Sequence, residues 1–151
     1  MNNVTWKQLL ANNEVTPHST SKSELAGIRT VIARDLADAS IRSVSTDRRF
    51  ATAYNAALQA SKMAIAVAGH RVTTGPGHHK ISFECLRLVL GKPGSSYADY
   101  FDWCRRKRNV IDYDEAYVST ETETEEIVRK TKEFLATVER WIVKSHPGWK
   151  A

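Results

Sequence analysis

The sequence predicts an all-α protein, an antiparallel helical bundle of about five helices, and three observations lead to this fold class. Apolar residues recur at intervals of three and four along most of the chain, which is the spacing of one face of an α-helix. Short stretches rich in glycine, proline, serine or threonine separate these segments. No stretch alternates β-branched with polar residues between turn signals, so the sequence predicts no β-strand.

Length and composition predict a single domain that spans residues 1–151. With 42% hydrophobic and 26% charged residues, the chain can bury a core of its own without disulfides or a structural metal. We expect residues 1–20 to form an N-terminal extension that contains a short helix at Thr5 to Asn12. Residues 21–146 should then form the bundle.

Two long amphipathic helices are predicted in the first half of the chain. The first begins near Ser21 or Ser23, with Ser23 as a candidate N-cap. Its apolar face consists of Leu25, Ile28, Ile32, Leu36 and Ala39. Thr46 or Asp47 can cap the second helix, which keeps the helical repeat from Phe50 onward and stops near Gly69. Its many alanines predict close approach of neighbouring helices.

Three further helices complete the predicted bundle. The loop RVTTGPGHHK leads to a fourth helix at about Lys80 to Leu90, which Gly91 and Pro93 terminate. A fifth helix begins at Ser95 or Ser96. For the last helix, Thr120 or Thr122 is the expected cap, because the glutamates that follow suit the positive end of the helix dipole. Pro147 and Gly148 end this helix.

Charge and cysteine content set broad limits on function. The formal charge of +5 and the pI near 9.3 favour contact with polyanions, although such a mild excess can also serve only solubility. Cys85 and Cys104 are too few for a disulfide scaffold, so we interpret them as free thiols packed between helices. The start of the chain has no export signal, and the most apolar run, Met63 to Gly69, is far shorter than the ~18 residues of a membrane span. We therefore expect a cytoplasmic protein that does not associate with membranes.

The fifth helix carries the main functional candidate, the segment CRRKRNVIDYD at residues 104–114. At 100° per residue, about half of the circumference is apolar, interrupted by Lys107. This half consists of Tyr97, Tyr100, Phe101, Trp103, Cys104, Val110 and Ile111. The other half is polar: four side chains fall within about 100° of one another and two lie just beyond. These are Arg105, Arg108, Asn109 and Asp112, followed by Arg106 and Tyr113.

This polar face has two interpretations. In the simpler one, Arg108 pairs with Asp112 one turn later, a contact worth roughly 0.2–0.5 kcal/mol, and the face meets only water. Two features favour a binding surface instead. Four adjacent cations repel one another, which a sequence selected for solubility alone would avoid by mixing signs. Moreover, residues 114–126 contain six acids and no base, so charge is segregated along the chain.

From about Arg48 onward the chain resembles the HEPN (higher eukaryote and prokaryote nucleotide-binding) domains. Three stretches carry the resemblance: DRRFATAYNAALQASKMAIAVAG at 47–69, GHHKISFECL at 77–86, and CRRKRNVIDYD. The family signature is an arginine, usually followed by a polar residue, with four to six residues between the arginine and a histidine. Arg108 and Asn109 match its beginning. The histidine position falls on Tyr113, Asp114 or Glu115, so this chain resembles the variant members that carry an acid and a tyrosine.

The resemblance implies an all-helical bundle that forms a homodimer, with the motif helices of two copies lining a shared cleft. It also implies binding of a nucleotide or RNA through the Arg105 to Tyr113 face, without a cofactor or metal. One alternative is a metal-independent endoribonuclease toxin in which Tyr113 or a loop histidine replaces the motif histidine, while Arg108 stabilises phosphate charge. Another is an interaction module that partners an antitoxin or a nucleotidyltransferase. We lean away from an enzyme because the motif histidine is absent.

His78 and His79 form a second candidate site, beside Lys80 and after the turn sequence GPG. They can bind phosphate or supply the missing base from a neighbouring loop, or they can simply belong to a solvated loop. Adjacent histidines point apart on most backbones, so the pair alone does not predict a metal site.

Overall fold

The computed structural model describes residues 4–111 and 117–151, and these residues form a helical bundle with one small sheet. The predicted all-α bundle is confirmed. In chain order the elements are α1 (Trp6–Ala11), β1 (Val15–Pro17), α2 (Lys22–Ala39), α3 (Thr46–Val67), β2 (His70–Val72), α4 (His78–Leu90), α5 (Lys92–Ile111), α6 (Glu121–Ser145) and a short 3-10 helix (Pro147–Trp149). No helix among them combines the length and apolar character that crossing a bilayer requires.

Helix α3 lies at the centre of the bundle and packs against α2, α4, α5 and α6. Its alanines Ala53, Ala57 and Ala60 are fully buried, so the neighbouring helices approach its backbone closely, as the composition predicts. The larger side chains of Phe50 and Tyr54, on the same helix, are also fully buried in the core. Full burial of such a side chain contributes about 1.5–3 kcal/mol, and α3 supplies more buried side chains to the core than any other helix.

The helix caps confirm one prediction and correct two. Thr120 caps α6, and its hydroxyl accepts from the Glu123 N–H at 3.0 Å. The Glu123 carboxylate accepts in return from the Thr120 N–H at 2.9 Å, which completes a capping box. For α2 the cap is Ser21, whose Oγ accepts from the Glu24 N–H at 3.0 Å, so the assignment to Ser23 is wrong.

Ser45 caps α3, one residue before the expected Thr46 or Asp47. The carboxylate of Asp47 instead accepts from the N–H groups of Ser119 at 2.8 Å and Val118 at 3.2 Å. These bonds hold the pKa of Asp47 below its ordinary value against the opposing effect of burial, the largest single influence. Asp47 thereby fastens the beginning of α3 to the segment that leads into α6.

A two-stranded antiparallel sheet contradicts the prediction that the chain contains no strand. β1 pairs with β2 in the register Val15 to Val72, Thr16 to Arg71 and Pro17 to His70. Each strand has three residues, which is too short for an alternating pattern to be visible in the sequence. Gly69, with φ of 93°, turns the chain from α3 into β2.

Helix α5 begins at Lys92, earlier than the expected Ser95 or Ser96, because Pro93 fits the first turn of a helix. Gly94 lies against α4, where a Cβ would collide with the carbonyl group of Leu86. Along α5, Phe101 and Cys104 are buried as predicted. Trp103 and Val110 are 38% and 42% exposed, so the apolar half predicted for this helix is not wholly buried.

Both cysteines are free and buried, which confirms the interpretation as unpaired thiols. Burial raises the pKa of Cys85 and of Cys104 to about 12. Each side chain is therefore a neutral thiol that packs as a small apolar group.

Candidate functional site

Three helices bring Tyr54, His79 and Arg108 together, and we call this group the Tyr54–His79–Arg108 cluster. The hydroxyl oxygen of Tyr54, on α3, lies 3.0 Å from Nδ1 of His79, in the first turn of α4. The guanidinium carbon of Arg108, near the end of α5, lies 5.7 Å from the centre of the Tyr54 ring. This separation is within the range of a cation–π contact. The motif arginine of α5 and one of the two candidate histidines thus share a site.

The first turn of α4 positions the histidines. The helix begins at His78 instead of the expected Lys80, after Gly77 with φ of 80°, and no side chain caps its first turn. Nδ1 of His78 lies 2.8 Å from the carbonyl oxygen of Gly75, which fixes the loop to the helix. The rings of His78 and His79 meet edge to face with their centres 4.4 Å apart. Both histidines therefore belong to an ordered helix start and not to a solvated loop.

The surroundings of His79 keep its imidazole neutral. Burial, the largest influence, and the charges of His78, Arg108, Lys62 and Arg105 together lower its pKa to about 4. Burial also raises the pKa of Tyr54, against the opposing charges of Arg108 and Arg105, so its hydroxyl keeps its proton. The hydrogen bond thus joins two neutral groups. When Nδ1 carries the proton, it donates to Tyr54 and leaves Nε2 as an acceptor.

Acids of the same chain neutralise part of the cationic run on α5. Nε of Arg105 lies 2.9 Å from Asp102, and Nε of Arg106 lies 3.9 Å from the same carboxylate. Nζ of Lys107 lies 3.0 Å from Glu123 and 5.5 Å from the centre of the Trp103 ring. The net positive field of this helix is therefore smaller than its sequence implies.

Of the remaining predicted site residues, two lie on α5 and the others lie outside the residues that the structure describes. The side chain of Arg106 is 66% exposed, and Asn109 is half-buried near the end of α5. Asp112 and Tyr113 lie outside the described residues, as do Asp114 and Glu115. The pair between Arg108 and Asp112, and the role of Tyr113 as a replacement base, stay predictions.

Tyr54 is the site residue that sequence reasoning missed. Its place in the apolar repeat of α3 indicated the core, and its side chain is indeed 1% exposed. A buried tyrosine nevertheless needs a hydrogen-bond partner for its hydroxyl group. That requirement signals a polar neighbour, although the sequence does not say that the neighbour is His79.

Comparison with protein families identifies the fold of the central part of the chain. A family model described as SAV_6107-like HEPN matches residues 39–139. The chain belongs to this HEPN family. The matched segment contains all of α3, α4 and α5 and therefore all three members of the Tyr54–His79–Arg108 cluster, whereas α1 and β1 precede it. Comparisons with curated proteins and with solved structures found no match.

Proposed function

We propose that this HEPN domain binds RNA or a nucleotide through phosphate contacts at the Tyr54–His79–Arg108 cluster, assisted by Arg105 and His78. The observation that carries the proposal is the placement of Arg108 against Tyr54, beside a histidine that several cations surround. The planar guanidinium group can donate paired hydrogen bonds to two phosphate oxygens. Arg106 and Asn109 of α5 belong to the same proposed surface, and Asp112 and Tyr113 of the motif segment are further candidates for phosphate binding.

The electrostatics of His79 support a phosphate site. Positive charges disfavour a further proton on the imidazole, and this is part of the reason why its pKa is low. A bound phosphate would offset that positive field and move the pKa of His79 back toward its ordinary value of about 6.5. Binding should therefore take up a proton and strengthen as pH falls from about 7 toward about 5.

The direct test is a titration of labelled single-stranded RNA with the wild-type protein and with Arg108→Ala. We expect at least a tenfold loss of affinity, because the substitution removes the phosphate-binding fork. Arg129→Ala is the matched control, since it removes one positive charge from an exposed position of α6 that pairs only with Glu133 among the described residues. Equal affinity of the Arg108→Ala protein and the wild type would refute the proposal.

A second substitution separates charge from geometry. Arg108→Lys keeps the positive charge and loses the fork, so its affinity should fall between those of the wild type and Arg108→Ala. Thermal unfolding of each variant, recorded in parallel, shows whether lost binding reflects lost structure. An unchanged unfolding midpoint together with weaker RNA binding would support a direct contact.

The second candidate function is metal-independent endoribonuclease activity with His79 in place of the motif histidine. The specific observation is that Tyr54 holds His79 by Nδ1 beside Arg108, which leaves Nε2 as the acceptor when Nδ1 carries the proton. In this reaction Nε2 takes the proton of a ribose 2′-hydroxyl group, and the 2′-oxygen attacks phosphorus. The bond from phosphorus to the 5′-oxygen then breaks, and that oxygen takes up a proton. The products are a 2′,3′-cyclic phosphate and a 5′-hydroxyl group.

Incubation of the purified protein with total RNA in EDTA tests this activity. Cleavage that yields cyclic phosphate ends and is lost in His79→Gln would support the enzyme, whereas intact RNA would exclude it. Tyr113→Phe tests the other candidate base in the same assay. If cleavage persists in His79→Gln and disappears in Tyr113→Phe, the base is Tyr113.

The exposed apolar residues of α5 favour a protein interface as a further candidate. Trp103 and Val110 are seven residues apart and share one side of the helix, where a homodimer mate, an antitoxin or a nucleotidyltransferase can pack. Sedimentation measurements at low and high salt distinguish phosphate binding from an apolar protein interface. Contacts with many phosphates weaken steeply as salt rises, whereas an apolar interface does not.

A further inference from the structure

A cavity of about 270 Å³ lies between α2, α3, the sheet and the first turn of α4. Its walls combine apolar side chains, including Ile28, Ile65 and Val72, with the cations Lys62 and Arg71. The pairing of β1 with β2 brings Arg71 to this place, because it fixes Arg71 opposite Thr16. The cavity lies beside the Tyr54–His79–Arg108 cluster and shares no member with it, although His78 lines the cavity and the charge of Lys62 lowers the pKa of His79.

Glu24 is the acidic side chain among the described residues that line the cavity, and its carboxylate is already engaged. Nε2 of His18 lies 2.8 Å and 3.1 Å from its two oxygens, and the hydroxyl of Thr20 donates to it at 2.8 Å. The hydrogen bond with His18 is the main reason why the pKa of Glu24 is lowered. The charge of Glu24 is therefore directed mainly at His18 and Thr20.

Lys62 and Arg71 form no ion pair with Glu24, and its charge acts on Arg71 only at long range, as one of the smaller influences on the pKa of Glu24. Within residues 4–111 and 117–151, neither cation has a carboxylate oxygen within the 4.0 Å of an ion pair. Burial lowers the pKa of Lys62, and the charge of Arg71 lowers it further, which means that the two cations interact. Two like charges held together beside an apolar wall repel each other, and an anion between them would remove that repulsion.

His70 supplies an independent indication of a ligand. Its ring lines the cavity and stacks on Trp6, with the ring centres 4.0 Å apart and the planes within 4° of parallel. Nδ1 of His70 is buried and has no hydrogen-bond partner in the described part of the chain. Buried polar atoms are rarely left in this state, because the loss of hydration is not compensated.

We propose that this cavity binds a small phosphate monoester, with the phosphate group between Lys62 and Arg71 and the organic group against Ile28, Ile65 and Val72. A phosphate monoester carries about −1.5 to −2 charges at pH 7 and so matches two cations better than a carboxylate does. The cavity volume lies just below the ~300–1,000 Å³ of most small-molecule sites, which limits the ligand to a small molecule. The proposal does not depend on RNA binding at Arg108.

Isothermal titration with phenyl phosphate and with inorganic phosphate tests the proposal on the full chain. Phenyl phosphate should bind at least tenfold more tightly, because only the ester reaches the apolar wall. Lys62→Met and Arg71→Met should each weaken its binding at least tenfold, whereas Arg108→Ala should leave it unchanged. Full affinity in both cavity variants, or no binding of phenyl phosphate by the wild type, would overturn the proposal.

Two further outcomes of these titrations would refute the proposal, and one stability measurement tests for misfolding. Equal affinity for inorganic phosphate and phenyl phosphate would overturn the assignment of the apolar wall. Loss of phenyl phosphate binding in Arg108→Ala alone would assign that binding to the Tyr54–His79–Arg108 cluster and refute this site. Finally, Lys62→Met removes a repelled cation, so the unfolding temperature of the ligand-free protein should rise. A rise together with lost binding excludes misfolding as the cause.

Discussion

Two cationic regions of this protein differ in how their charges are balanced. The run from Arg105 to Arg108 is the densest positive segment of the sequence, yet Asp102 and Glu123 lie against three of its members. Lys62 and Arg71 are nine residues apart in the chain, and neither belongs to a run of cations in the sequence. They meet at the cavity, where Glu24 is already bonded to His18.

This difference shows that charge density along the chain and electric field in space are distinct quantities. On α5, acids three and four residues before an arginine share its side of the helix, so neutralisation is local. At the cavity, cations arrive from α3 and β2, and the acid that arrives with them has another partner. Cations without an ion pair of their own are therefore found where separate elements meet, and the charge of Glu24 offsets that of Arg71 only in part. Four predictions are ordered from the largest expected effect to the smallest: two test how charge is balanced in the regions, and two test His79, whose pKa cations of both regions lower.

Asp102→Asn should strengthen RNA binding by about threefold to tenfold. The substitution removes the carboxylate that lies 2.9 Å from Arg105 and frees that guanidinium for phosphate. Asp99→Asn is the matched control on the same helix, because Asp99 pairs with Arg87 and not with the run. Fluorescence anisotropy with labelled RNA measures both affinities. Equal gains in the two variants would show that only net charge matters.

Tyr54→Phe should lower the free energy of unfolding by about 1 kcal/mol, because Nδ1 of His79 then loses its partner in a half-buried place. Tyr97→Phe is a suitable control, since its hydroxyl group makes only a long contact of 3.5 Å with Thr137. Denaturant unfolding of both variants gives the comparison. A smaller loss for Tyr54→Phe than for Tyr97→Phe would contradict the structural role assigned to the Tyr54–His79 bond.

His79 should make stability depend on pH between about 6.5 and 4. Its pKa is about 4 in the folded protein and near 6.5 when unfolded, so the unfolded chain binds more protons in this window. The free energy of unfolding should therefore fall as pH falls through it. The slope should stay below the one-proton limit of about 1.4 kcal/mol per pH unit, because His79 is only half-buried.

The measurement is the difference between wild type and His79→Gln in denaturant unfolding at a series of pH values. The substitution should flatten the curve between about pH 6.5 and pH 4 and leave its shape above about pH 7 unchanged. Because Glu24, Asp47 and Glu123 titrate equally in both proteins, the difference isolates His79. Parallel curves throughout the range would contradict the lowered pKa.

The smallest effects are expected when one lysine of each region is replaced by methionine and the stabilities of the two variants are compared. Lys107→Met loses the ion pair with Glu123 and should lower the free energy of unfolding by about 0.5 kcal/mol. Lys62→Met removes a cation that burial and the charge of Arg71 both disfavour, and it should raise that free energy by a similar amount. Thermal unfolding of the two variants at low salt shows whether each substitution raises or lowers the free energy of unfolding. If both substitutions changed the free energy of unfolding in the same direction, the two regions would not differ in how their charges are balanced.

The sequence by itself determined the helices, the family and the motif arginine. Helical periodicity and caps are local features, so α2, α3 and α6 could be located from the residues alone, and Thr120 could be named as a cap. Each depends on residues within a few turns of one another. The same local rules failed at β1 and β2, which are stable only because they pair with each other across the whole length of α2 and α3.

Only the tertiary structure decided which side chains meet. The bundle places Tyr54 of α3 against His79 of α4 and Arg108 of α5, and it places Lys62 near Arg71 beside the sheet. It also left Trp103 and Val110 exposed, although periodicity assigned them to the apolar half of α5. The physical reason is that a repeat fixes the side of a helix on which a residue lies, whereas packing decides what covers that side.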